Sequence, residues 1–225
     1  MVALLSGCDK VLGLDEITTP PPLCPNLAMQ PFLCADFDEA TPVVYQDGAM
    51  TALPVATSAT VHPPASTLPN ALWIENPAQP YAITDAPSTP TVSVMHAELD
   101  LSVAGTPSQS YEVLELGVGP QTAALPCHVS VQVSANGELS MLPQCPTRDN
   151  AIGVVSIPQG FVHVVLDIDI GQGEAKMTVA DSAVAPYSLP GTAQPGSPYA
   201  SAGVLVTSGP IPTTGLDNLV VTATP

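Results

Sequence analysis

"FVHVVLDIDI", residues 161–170, is the stretch that decides the fold. Val162, Val164, Leu166, Ile168 and Ile170 fall on one side of an extended chain, and Phe161, His163, Val165, Asp167 and Asp169 on the other, because side chains alternate across a strand with a period of two. A helix would scatter the same apolar residues around its circumference. The run is a strand with one face in a core. "GQGE" follows, with Gly171 and Gly173 suited to a tight turn into "AKMTVAD", so the two runs read as a hairpin.

The same grammar recurs on both sides. "TVSVMHAELDLSVAG" sets Met95, Leu99, Leu101 and Val103 against His96, Glu98, Asp100 and Ser102. "YEVLELGVG", "HVSVQVSA", "ELSML", "AIGVVSI", "AGVLVTSG" and "GLDNLVVTAT" bring the total to roughly a dozen short strands. Asn136-Gly137 between two of them is the strongest short hairpin signal. "PYSLPGTAQPGSPY", residues 186–199, is expected to stay outside the sheets as a proline-rich loop. No helical periodicity follows Pro31, so an all-β fold of two packed antiparallel sheets is expected.

Composition narrows the partners. The formal net charge is −17, and Lys10, Arg148 and Lys176 are the only Lys or Arg residues. A phosphate backbone would be repelled, which excludes nucleic acid, and anionic lipid headgroups are disfavoured for the same reason. Membrane attachment, if any, is then hydrophobic or covalent. Hydrophobic residues make up 45% of the 225, enough for a core despite 27 prolines.

"LLSGCDK", residues 4–10, resembles the processing box of bacterial lipoproteins in Leu5, Ser6, Gly7 and Cys8. It departs from the pattern upstream, where the leader has no basic residue and is shorter than the ~15–30 residues of an export signal. The resemblance implies residues 1–8 as a truncated signal with Cys8 lipidated. Residues 9–22, ending in "ITTPPP", form a stiff tether, and residues 23–225 a single β-sandwich domain. The localisation expected is the bacterial cell envelope, with the membrane reached through the lipid anchor alone. Without Cys8, the set Cys24, Cys34, Cys127 and Cys145 is even, and two local disulfides are expected, Cys24 with Cys34 and Cys127 with Cys145. None of these has the C-x-x-C spacing of zinc or redox sites.

"FLCADFDEA", "GFVHVVLDIDIGQGEAKMTVAD" and "GLDNLVVTA" together resemble the concanavalin A-like lectin/glucanase superfamily, in particular its LamG-like jelly roll. The resemblance implies a two-sheet antiparallel jelly-roll sandwich. It also implies one structural calcium where the first and last strands meet, on Asp217 and Asn218 with Asp36 or Asp38, hard oxygen donors that suit this ion. Glucanase relatives carry carboxylates at alternate positions of one strand. "ELDLSVAG" begins that way with Glu98 and Asp100 but then offers Ser102 and Val103, so another strand, such as the one carrying Glu112 and Glu115, would have to supply the partner.

Sugar binding leans on exposed aromatic rings. Trp73 in "NALWIEN" is a ligand-face candidate whose apolar neighbours also fit a core position, and Tyr81, Tyr111, Tyr187 and Tyr199 carry no spacing signal. If the strands of His96, Glu98, Asp100 and of His163, Asp167, Asp169 adjoin, they form an acidic face with two imidazoles that could hold a ligand or divalent metal, or simply a solvated sheet face. No nucleophile elbow and no phosphate loop occur. The function expected on these grounds is a non-catalytic lipoprotein binding carbohydrate or another envelope component. The alternative is a protein-interaction scaffold, with glycoside hydrolysis a distant third.

Overall fold

A computed structural model describes Cys24, Leu27 and residues 31–37, 43–46, 49–52, 59–67, 70–75, 81–85, 91–119, 127–145, 149–205 and 211–225. Cys8, the tether and Asp38 lie outside these residues. The strands are β1 (Leu33–Asp36), β2 (Val43–Gln46), β3 (Ala49–Ala52), β4 (Ala59–His62), β5 (Ala71–Ile74), β6 (Tyr81–Asp85), β7 (Val94–Ala104), β8 (Tyr111–Gly119) and β9 (Cys127–Val133). They continue with β10 (Glu138–Gln144), β11 (Ile152–Ser156), β12 (Phe161–Asp169), β13 (Glu174–Val179), β14 (Ser182–Ala183), β15 (Tyr187–Ser188), β16 (Ser197–Val204) and β17 (Thr213–Thr224).

They form two antiparallel sheets. The larger runs β14-β13-β12-β7-β17-β1-β2-β3, with β4, β5 and β15 attached at its sides, and the smaller runs β11-β10-β9-β8-β16-β6. The molecule is the two-sheet antiparallel sandwich expected from the strand pattern. Val162, Val164, Leu166 and Ile168 of β12 point inward and meet a core that includes Leu114 and Leu116 of β8, Val129 and Val131 of β9, and Leu139 of β10. Each large apolar side chain so buried contributes about 1.5–3 kcal/mol. β12 takes β13 on one edge and β7 on the other, so its alternation fixes the facing of three strands at once.

Two local devices hold the ends. Cys127–Cys145 closes the open end of the β9–β10 hairpin, whose tip holds Gly137 at φ 73°, and Cys24–Cys34 ties the segment before β1 to that strand. Both pairings are those expected. Long β17 changes partner midway: Thr214–Leu216 pair with β5 and Leu219–Val221 with β1. The change occurs at a bulge after Asp217, where Asn218 takes φ 49°, a conformation asparagine tolerates.

One expectation is corrected. The 186–199 segment contributes β15 and the start of β16. Pro198 is accommodated because β16 pairs with β6 only from Ala200 to Val204. At Pro198 its ladder partner is β8 alone, so the missing N–H need not break a central ladder.

Candidate functional site

The outer faces of the two sheets carry different chemistry. On the larger sheet, β7 and β12 adjoin, with His163 opposite Asp100 and Asp167 opposite His96. His96, Glu98, Asp100, His163, Asp167 and Asp169 therefore share one face. His96 Nδ1 lies 2.6 Å from Asp167 and its Nε2 2.9 Å from Glu98. The hydrogen bond to Asp167, helped by Glu98, outweighs partial burial and pushes His96 up to about 9. At neutral pH it is an imidazolium clamped between carboxylates, with both nitrogens donating, so neither can ligate a metal.

The neighbouring row is tighter still. Segment 63–67 lies over the β17 bulge, and Asp217, fully buried, accepts hydrogen bonds from the backbone N–H of Ser66, Thr67 and Asn218 at 3.1, 3.0 and 2.9 Å. Asp100 is bonded by Ser66 Oγ at 2.6 Å, by Asn218 Nδ2 at 2.8 Å and by His163 Nδ1 at 2.8 Å. Ser66 Oγ also stands 2.9 Å from Asp217, yet a hydroxyl has one hydrogen to give. Burial disfavours charge on both acids. At Asp100 it is overcome by Ser66, Asn218 and His163, which hold the carboxyl below its usual range. At Asp217 burial wins, and the carboxyl is raised despite its donors.

Asp217 and Asn218 thus meet hydrogen-bond donors of segment 63–67. Asp36 lies on β1, and no group of three or more His, Cys, Asp or Glu side chains able to hold a metal occurs among the described residues. Trp73 is buried at 6% exposure. Its Nε1 donates to the carbonyls of His62 and Pro64, its ring stacks on His62, and it meets Phe161 edge-on. It lies close over Gly215, where a Cβ would come within 2.9 Å of the indole. The ring is covered by protein and offers no flat face to a sugar. Tyr111 is buried, bonding Thr214 at 3.0 Å, Tyr81 is buried in the core, and Tyr187 bonds Asp149 at 2.5 Å.

The smaller sheet groups residues that no sequence motif connects. Gly117 of β8 is paired with His128 of β9 on one side and Tyr199 of β16 on the other. In the next row Glu115 lies between Ser130 and Ser201. A Cβ on Gly117 would come within 3.2 Å of the His128 Cβ and 3.6 Å of the Tyr199 Cβ, so the glycine lets the three strands approach closely at this row. His128 Nε2 stands 3.4 Å from Glu115, and both side chains are under 20% exposed. The Tyr199 hydroxyl lies near the same carboxylate, whose charge adds to burial in raising it.

Burial pushes Glu115 above the usual carboxylate range; His128 pulls it down, and Glu112 pushes it up again. Burial first, then the Glu115 charge, raises Tyr199. One half-buried carboxylate thus lies beside an imidazole and a phenol from the two flanking strands, a grouping suited to proton transfer. The sequence reading reached Glu112 and Glu115 but missed His128 and the pairing with Tyr199. The available signal was a glycine inside a strand pattern, in "YEVLELGVG", which marks close approach of a ligand or another backbone.

No protein-family model and no curated protein matches the chain. Solved structures do. Alginate lyase AlyC3 aligns over 86% of this chain and 89% of its own at TM-score 0.58 and 11% identity. In complex with dimannuronate, the same lyase aligns over 68% and 74% at TM-score 0.50 and 10% identity. "HCR/D-Sa-GBL1/C" aligns over 86% and 48% at 0.59 and 9%, and the Trypanosoma rangeli sialidase over 92% and 33% at 0.54 and 13%. The chain spans about half of the former and a third of the latter. These likenesses establish a concanavalin A-like jelly-roll fold. They also overturn the expectation of a non-catalytic binding lipoprotein, since the fold's neighbours include carbohydrate-cleaving enzymes. That expectation rested on the incomplete carboxylate run of β7, whereas the grouping of Glu115, His128 and Tyr199 lies across β8, β9 and β16 of the other sheet.

Proposed function

We propose that the chain is an exported carbohydrate-cleaving enzyme whose working surface is the outer face of the smaller sheet. The observation that carries this reading is the Glu115 carboxylate that His128 and Tyr199 approach from the strands on either side of Gly117. Breaking a glycosidic linkage requires a proton for the leaving oxygen and a base for the attacking water or the departing ring proton. His128 and Tyr199 exchange protons in these roles, and Glu115 orients both. The neighbours named as alginate lyase and sialidase support the class of substrate. The two disulfides support an oxidising compartment.

The test is a polysaccharide panel read for new reducing ends and for ultraviolet-absorbing unsaturated products. Release of either, lost in His128→Ala and Tyr199→Phe, supports the reading. A panel without products, or activity untouched by both changes, removes it.

Anchoring through Cys8 is a proposal about location, supported by the lipobox resemblance. Cys8→Ala is expected to release the protein from membranes, and retention would sink the anchor. The structural calcium implied by the resemblance is likewise a proposal. EDTA should lower Tm if the ion is there, because a ligand bound only to the native state stabilises it. An unchanged melting curve would remove the ion, and the donor-held Asp217 carboxylate favours that outcome.

A further inference from the structure

β8 carries an irregularity that the pattern of "YEVLELGVG" does not announce. In a regular strand Glu112 and Glu115, three positions apart, would point to opposite faces. The register places them otherwise. Glu112 is paired with Gln132 of β9, Leu114 with Val131 and Glu115 with Ser130. Between Glu112 and Leu114 two steps of β8 oppose one of β9, which makes Val113 the extra residue of a bulge. Val113 and Leu114, consecutive in sequence, both join the core, as do Val129, Val131 and Val133 of β9. Ser130 and Gln132 alternate with those valines on the outer side. Their partners Glu112 and Glu115 therefore share that side, one row apart.

Two carboxylates one row apart oppose each other's ionisation, the more so where little water reaches them, because a low dielectric strengthens the repulsion. Glu112 is 4% exposed and the Glu115 side chain 18%. The other titratable groups facing Glu115 among the described residues come from the flanking strands. His128 of β9, its Nε2 3.4 Å away, and Tyr199 of β16 both favour the ionised carboxyl. Burial disfavours it first, and the Glu112 charge adds to burial. Without the bulge Glu112 would face the core, and this opposition would be gone.

We propose that the β8 bulge recruits Glu112 as a positioning residue of the Glu115 cluster, a second carboxylate set on the same face to oppose ionisation of the first. This rests on the reading of Glu115, His128 and Tyr199 as an acid–base group and adds a member that acts through Glu115 alone. Its consequence is a cluster that keeps a proton available to higher pH than Glu115, His128 and Tyr199 would by themselves. One extra residue, Val113, thereby couples backbone geometry to proton affinity.

The test is the carboxyl titration of Glu115 in the full chain, followed by NMR with carboxyl-labelled glutamate and assigned by the signal missing in Glu115→Gln. Removing the neighbouring charge eases ionisation, so the Glu115 midpoint should move to lower pH in Glu112→Gln. Glu112→Met, apolar and of similar length, suits a buried position should the amide lower Tm, and should move the midpoint the same way. Glu112→Asp keeps the charge and should leave the midpoint near the parent's. A midpoint that stays put in the folded Gln or Met variant, or that moves equally in the Asp variant, overturns the proposal. Where a polysaccharide is cleaved, the acid limb of the pH profile should follow the midpoint to lower pH in the neutral variants. A panel without products removes the acid–base reading, and the titration still decides the coupling. Cleavage that needs His128 and Tyr199, with an unmoved Glu115 midpoint, removes the part assigned to Glu112 alone.

Discussion

The outer face of the larger sheet and that of the smaller one are both polar, yet their groups are committed differently. On the larger, every prominent acid or imidazole has partners of its own: His96 is held by Asp167 and Glu98, Asp100 by Ser66, Asn218 and His163, and Asp217 by the backbone of segment 63–67. On the smaller, His128 and Tyr199 converge on one carboxylate beside a glycine. A network satisfied from within supports a fold. An imidazole and a phenol that share one carboxylate keep further donor and acceptor capacity.

The comparison breaks most readily at the smaller sheet. His128→Ala and Tyr199→Phe are expected to lower turnover by about 10²–10⁴-fold, the usual contribution of a positioned proton donor or acceptor, with Tm unchanged within error. Loss of turnover with a matching fall in Tm would make these residues structural and erase the distinction between the faces.

The converse applies to Asp217. Its replacement by alanine leaves the N–H groups of Ser66 and Thr67 without their acceptor beneath segment 63–67. A cost of about 2–3 kcal/mol is expected in denaturant unfolding, with turnover on any substrate intact once the folded fraction is matched. A variant as stable as the parent would show the network to be ornament. Specific loss of kcat in a stable variant would move the working surface to the larger sheet.

The sandwich was legible because alternation in "FVHVVLDIDI" and its neighbours is a local property, and register follows once one face is apolar. The Cys127–Cys145 bridge was legible for a similar reason, since Asn136-Gly137 marks a hairpin between the two cysteines. The Gly117 site was not. Its members lie on β8, β9 and β16 and are joined only by cross-strand pairing, which depends on the order of strands in the sheet and leaves no spacing rule in the chain. Pattern reading therefore favoured the larger sheet, where Glu98 and Asp100 sit two apart and imitate a catalytic strand. It also left open whether Trp73 was core or ligand face, because the ring's burial comes from distant partners, Gly215 and Phe161.

The smallest expected effect sharpens the comparison from the side of the structural face. His96 is raised from 6.5 to about 9 by Asp167 and Glu98, so the folded protein binds its proton more tightly than the unfolded chain does. Stability from this source is present in full below about pH 6.5 and is lost as pH rises through about 9. A side chain 36% exposed is screened by water, which reduces the contribution to roughly 1 kcal/mol. Unfolding free energy should decline by that amount between these pH values in the parent and stay flatter in His96→Gln, which keeps a hydrogen-bonding side chain but cannot titrate. Added salt should shrink the decline, because the pairs are partly solvated. A His96→Gln curve parallel to the parent's would assign the slope to another group, and the larger sheet's clamp would then be geometry without energetic weight.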